Sequence, residues 1–231
     1  MQCYKSPYKV DCVITTKERK IFDFLQSNST ESAGAMIFNQ KGKLSKFNVF
    51  LGGTLNKTWG HNHIVMWHTH PSKNNRKFSP PSHTDLRNFI IGIYNNISGV
   101  QRKILYSSAG LVFSDEGCWI FRCNDNLIKI IEKYRNKNNK SMKLFLDKLT
   151  KKIVEYSIGF AQLKYHRGKD AKKLSYSQYI DNMNKIGFKI KLVRRKKPIK
   201  ICNVYQCIET ATSKTKIYNI PADIELNMTA I

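Results

Sequence analysis

Acidic side chains are scarce in this chain. Only 16 Asp and Glu stand against 40 Lys and Arg over 231 residues, a formal net charge of +24. The six cysteines, at positions 3, 12, 118, 123, 202 and 207, include no C-x-x-C pair, which argues against a cysteine-built structural zinc site. Without a secretory start they read as reduced, buried, small apolar side chains. No apolar run approaches the ~18–20 residues of a membrane span. The opening MQCYKSPYKVDC has no hydrophobic signal-peptide core. The expectation is a soluble, intracellular and cytoplasmic protein with no membrane span. An H-E-x-x-H helix is missing, which excludes a thermolysin-like centre. The H-x-E and P-C-x-x-C elements of a nucleobase deaminase are missing as well. Internal repeats and low-complexity segments are also absent.

What is present is enough for a packed globule. A 41% hydrophobic fraction with 11% aromatics supplies the apolar surface that disordered chains lack. The length suits one main domain with an appendage. A Thr cap followed by Ile21, Phe22 and Leu25 at helical spacing predicts an amphipathic helix over about 16–27. ESAGAMIF, KFNVFLGGT and HNHIVMWHTH read as strands, SHTDLRNFIIGIYNN as a helix, and RKILYSS, GLVFS and CWIFRC as a three-strand meander. After Asn124 the texture changes to Lys-rich segments with apolar residues every three or four positions. These are helices burying one stripe, closed by the strand-like FKIKLV and the basic RRKKPIK. The expected division is therefore a mixed α/β domain over 1–123 and a basic, mainly helical C-terminal extension over 124–231.

Charge follows the same division. Residues 1–123 carry 16 basic and 7 acidic side chains, and 124–231 carry 24 and 9, so the excess is heaviest in the second region. Such a field steers polyanions, acidic protein faces or acidic surfaces toward the chain. A Lys/Asn/Ile-rich coding bias produces the same balance without any ligand, and both readings stand.

The chemistry concentrates in HIVMWHTHPSKNNRKFSPPSHTDL. Side chains alternate across a strand, so His68 and His70 share a face while His61 and His63 face the other way. Alone, the pair fits either two ligands of one ion or two surface histidines. Ser82 and Asp85 follow Pro80-Pro81 and fit an N-cap with its acid partner three residues on. Together, two imidazoles at a strand end and a carboxylate on a helix's first turn can converge on one ion. Three ligands leave a tetrahedral position open, which is the catalytic pattern for zinc. Glu31, just before ESAGAMIF, is the acid that a core strand could bring beside such a site; otherwise it is a solvated carboxylate at a helix-to-strand turn.

The set Glu31-x-x-Gly34, His68-Thr69-His70-Pro71 and Ser82-x-x-Asp85, in that order, resembles the JAMM (MPN+) zinc metalloproteases over roughly residues 10–123. That family includes the isopeptidases of the proteasome lid and signalosome, with bacterial and large-DNA-virus relatives. The resemblance implies an MPN-type mixed sheet, similar to that of cytidine deaminases, flanked by helices. It implies one Zn2+ held by His68, His70 and Asp85, Glu31 acting on the nucleophilic water, and Ser82 supporting the oxyanion. The implied substrates are conjugates of ubiquitin or a ubiquitin-like protein. The loop Pro71–Pro81, at eleven residues, is longer than is usual there and carries Lys73, Arg76 and Lys77. Lengthening a loop costs only about 0.6 kcal/mol per doubling, so the ligands still converge and substrate fit is what changes.

A second reading is a basic binding or structural protein on the same fold. KIKLVRRKKPIK, residues 189–200, holds seven basic residues that would contact nucleic acid, a scaffold or a virion component, or form a solvated basic strand edge. A third is a silent scaffold module, against which the presence of all five site residues counts.

Overall fold

The structure is a computed structural model describing residues 8–28, 30–47, 49–51, 65–71, 79–96, 107–135, 139–161, 175–206 and 220–221. In chain order the elements are β1 (Tyr8–Ile14), α1 (Thr16–Ser27), β2 (Ser32–Phe38), β3 (Leu44–Phe47), β4 (Phe50–Leu51), β5 (Val65–Thr69) and α2 (His83–Asn96). They continue with β6 (Ala109–Ser114), β7 (Gly117–Cys123), α3 (Asp125–Arg135), α4 (Asn139–Ala161), α5 (Tyr176–Ile186), β8 (Phe188–Arg194), β9 (Ile199–Gln206) and β10 (Ile220–Pro221).

The fold is mixed α/β. One sheet runs β10-β3-β2-β5-β6-β7-β8, with β4 also on β2, and a separate ribbon pairs β1 with β9. Only β5 and β6 pair in parallel within the main sheet; its other described pairs are antiparallel. A parallel neighbour needs a crossover, and α2 lies in that connection. The central strands are buried along almost their whole length, five of five positions in β5 and six of six in β6. Burial on both faces accounts for the apolar texture of VMWHT and AGLVFS.

Alternation divides each central strand between two cores. Met66, Val112, Trp119 and Phe121 face α2, α3, α4 and α5, where Phe89, Leu127, Leu146, Tyr179 and Met183 meet them. Val65, Trp67, Leu111 and Phe113 face α1 and the β1–β9 ribbon. There Phe22 lies 4.8 Å from Phe113 and 5.0 Å from Trp67, ring centre to ring centre. The molecule is thus three layers deep.

Helix α1 starts and ends as its sequence dictates. Thr15 and Glu18 bond each other's backbone N–H groups in a capping box. KFNVF divides into β3 and β4, and GLVFS and CWIFRC form the β6–β7 hairpin. The strand expected over RKILYSS falls largely outside the described residues. Three strands had not been anticipated: β1, β9 beyond RRKKP, and the short β10. The sheet also runs across Asn124, since β7 before it pairs over seven positions with β8 after it.

Candidate metal centre

Every segment that meets this centre lies at one end of the main sheet: the C-terminal ends of β5, β6 and β8, the start of β2, and the first turn of α2. In α/β sheets this end of the parallel strands is where ligands gather. His68 is the penultimate residue of β5, and His70 extends the pairing by one bond, its N–H donating to Phe113 O at 2.8 Å. The alternation argument holds: the two Nε2 atoms lie 3.0 Å apart on one face.

Asp85 reaches both. Its Oδ1 is 3.3 Å from His68 Nε2 and its Oδ2 3.4 Å from His70 Nε2. The cap reading and the ligand reading turn out to be compatible. Ser82 N–H donates to Asp85 Oδ2 at 2.7 Å, and Ser82 Oγ accepts from Asp85 N–H at 3.2 Å. This reciprocal pair fixes the helix start and aims the carboxylate. The serine hydroxyl spends a lone pair on the helix and keeps its proton for another acceptor.

These three ligands fit a divalent cation. A tetrahedral zinc with N and O ligands at about 2.0–2.1 Å requires donor atoms ~3.3 Å apart. The two Nε2 atoms are 3.0 Å apart and the carboxylate approaches them through different oxygens, Oδ1 to His68 at 3.3 Å and Oδ2 to His70 at 3.4 Å, so the three groups cluster closely enough to share one ion. Among the described residues these are the three groups that could share an ion. The second donor shell is half built. His70 Nδ1 lies 3.2 Å from Ser79 O, so Nδ1–H donates there and Nε2 turns its lone pair inward. His68 Nδ1 is buried with no hydrogen-bond partner among the described residues. His68 is nearly enclosed, while His70 and Asp85 keep 12% and 14% of their side chains open, so the centre has one wet side.

The charges oppose burial. Burial disfavours the Asp85 carboxylate, but the charges and hydrogen bonds of His68 and His70 outweigh it and hold the carboxyl well below its usual range. Burial also disfavours His70 cation, yet the hydrogen bond and charge of Asp85, the charge of Glu31 and the Ser79 carbonyl raise it above its ordinary value. The cluster is built to hold positive charge.

Glu31 sits where β2 begins. Ala33 pairs with His68, so carrying the antiparallel register on by two residues sets Glu31 opposite His70. Thr69 locks that end: its Oγ1 accepts Ser32 N–H at 2.9 Å and lies 3.4 Å from Ser32 O. Glu31 itself is exposed. His61, His63 and the loop cations Lys73, Arg76 and Lys77 lie outside the described residues.

Three supporting residues had not been singled out from the sequence. Glu116 Oε1 accepts from Ser79 N–H at 2.8 Å and from Trp119 Nε1 at 3.0 Å, so it holds the residue that orients His70. Gln26, fully buried, donates to His70 O at 3.1 Å and to Asp115 Oδ1 at 3.0 Å, and accepts from Arg195. Tyr179 Oη donates to Pro81 O at 2.9 Å, tying α5 to the approach to α2. The only local signal was the acidic turn Asp115-Glu116-Gly117. No protein-family model, no curated protein and no solved structure matches the chain.

Proposed function

We propose that this protein is a zinc-dependent isopeptidase or peptidase that cleaves ubiquitin or a ubiquitin-like protein from conjugates. The observation that supports the reading is the cluster of His68, His70 and Asp85, close enough to share one ion, with Glu31 opposite His70 in register and Ser82 on the helix turn that carries Asp85. Zinc bound there supplies Lewis acidity to the scissile carbonyl and lowers the pKa of water to about 7. Glu31 accepts a proton from the attacking water and delivers it to the departing lysine amine, as base and then acid. Ser82 Oγ–H donates to the oxygen that gains charge, the kind of contact whose loss costs about 10²–10³ in rate. Gln26, Glu116 and Ser79 hold His70 in the orientation that the first two roles require.

The test incubates purified protein with isopeptide-linked di-ubiquitins. Cleavage should require zinc, stop with a chelator, and fall about 10²–10⁴-fold in Glu31→Gln while bound zinc stays at one per chain. Wild-type cleavage by Glu31→Gln, or cleavage indifferent to chelation, would defeat the assignment. No helix of the described residues is long and apolar enough to cross a membrane.

A further inference from the structure

The basic stretch KIKLVRRKKPIK is not a frayed end. It forms all of β8 after Phe188, the turn to β9 and the start of β9, and all seven of its cations are exposed. Four of them, Arg194–Lys197, follow one another in the turn, at the same end of the sheet as Glu31, His70 and Asp85. A buried cation clamps that turn. Arg19, 1% exposed, donates through Nη1 to Arg194 O and Lys197 O, both at 2.7 Å, and through Nη2 to Val193 O at 3.2 Å. Arg195 bonds Gln26, which bonds the His70 carbonyl, and lies 3.5 Å from Asp115. Two hydrogen bonds therefore separate this turn from a candidate zinc ligand.

Like charges in adjacent positions repel, and here five cations, Arg19 included, face Asp23, Asp115 and, across Tyr176, Glu116 as local counter-charges. Arg194 and Arg195 are committed inward, the former over the Tyr176 ring at 4.6 Å. Lys196 and Lys197 have no ion-pair partner among the described residues. The turn thus keeps an excess of positive charge at the same end of the sheet as the candidate centre. Nucleic acid would want an aromatic platform there for base stacking. The ring that the turn contacts, Tyr176, is covered by Arg194 and Trp119.

We infer that the Arg194–Lys197 turn is a docking subsite for an acidic stretch of the protein substrate, next to the bond that is cut. This rests on the hydrolase reading, which the di-ubiquitin assay examines separately. The subsite is tested on the full chain by fluorescence anisotropy with a labelled poly-glutamate peptide, which needs no turnover. Lys196→Glu/Lys197→Glu should weaken binding about tenfold or more, at the low end of what charge steering supplies. The same reversal at Lys129 and Lys133, on α3 beyond the opposite end of β7, should leave affinity within about twofold. Zinc content and melting temperature verify that both variants fold. Equal affinity in all three proteins overturns the inference. So does a single-stranded oligonucleotide of matched charge that binds more tightly than the peptide and is the ligand lost on reversal.

Discussion

Ser82 has two tasks that mutation can separate. Its hydroxyl caps α2 and, in the proposed reaction, its proton meets the oxyanion. Ser82→Ala should cost about 1 kcal/mol of stability through the lost cap. In a turnover assay the same variant should lose about 10²–10³ in kcat, far more than so small a destabilisation explains. Ser82→Asp, which keeps a capping acceptor without the hydroxyl proton, should recover the stability and not the rate. Acidity gives a second prediction. Asp85 has a lowered folded pKa, so its contribution is present above its unfolded value and lost as pH falls through the folded one. His70 has a raised folded pKa, so its contribution is present below its unfolded value and lost as pH rises through the folded one. In chelator-treated protein, the melting advantage of wild type over Asp85→Asn should therefore peak between about pH 4 and 6.5. A flat difference across pH 3–9 would contradict the coupling. Zinc affinity should move oppositely, falling as acidification restores the proton that the ion must displace.

The three groups that could share an ion were legible because each rests on short-range geometry. Alternation put His68 and His70 on one face, and the cap spacing put Asp85 on the first turn of α2. Gln26 was not legible, because its partners come from residues 70, 115 and 195 and no local pattern connects them.

At the scale of elements, the strands carry tight side-chain complementarity. Gly110 on β6 lies under the Phe121 ring of β7, and a Cβ there would overlap the ring. Gly110→Ala should destabilise by about 1–3 kcal/mol through overpacking, measured by denaturant unfolding, and Phe121→Leu should relieve part of that loss. Helices α1 and α5 were readable from their caps and stripes, as Thr15 and Ser175 show. The β1–β9 ribbon was not. YKVDCVI and IKICNVYQ are short and mixed, and only their mutual pairing across most of the chain makes them strands.

For the whole molecule, the composition reading of a separate basic extension meets a shared core. Phe188, Ile190, Tyr179 and Met183, all after Asn124, are buried in one cluster with Met66, Val112 and Trp119, all before it. A fragment of residues 1–123 would leave Trp119 and Phe121 uncovered on one face and the β7 edge unpaired. It should be aggregation-prone, or lack the sharp cooperative unfolding of the full chain in calorimetry. A soluble fragment that melts cooperatively would restore two independent units.

Strand β1 pairs with β9 from Tyr8↔Gln206 to Ile14↔Ile199. On a ribosome the first of these strands emerges long before its mate, because all the elements from α1 to β8 are made between them. The Arg19 clamp and the Arg195 link to Gln26 wait with it, because both reach the turn just ahead of β9. A nascent chain stalled before residue 194 would hold its histidines, Asp85 and Gln26 without the Arg195 bond that braces Gln26 behind His70. Whatever that centre does, its full bracing exists only once residue 195 has been made.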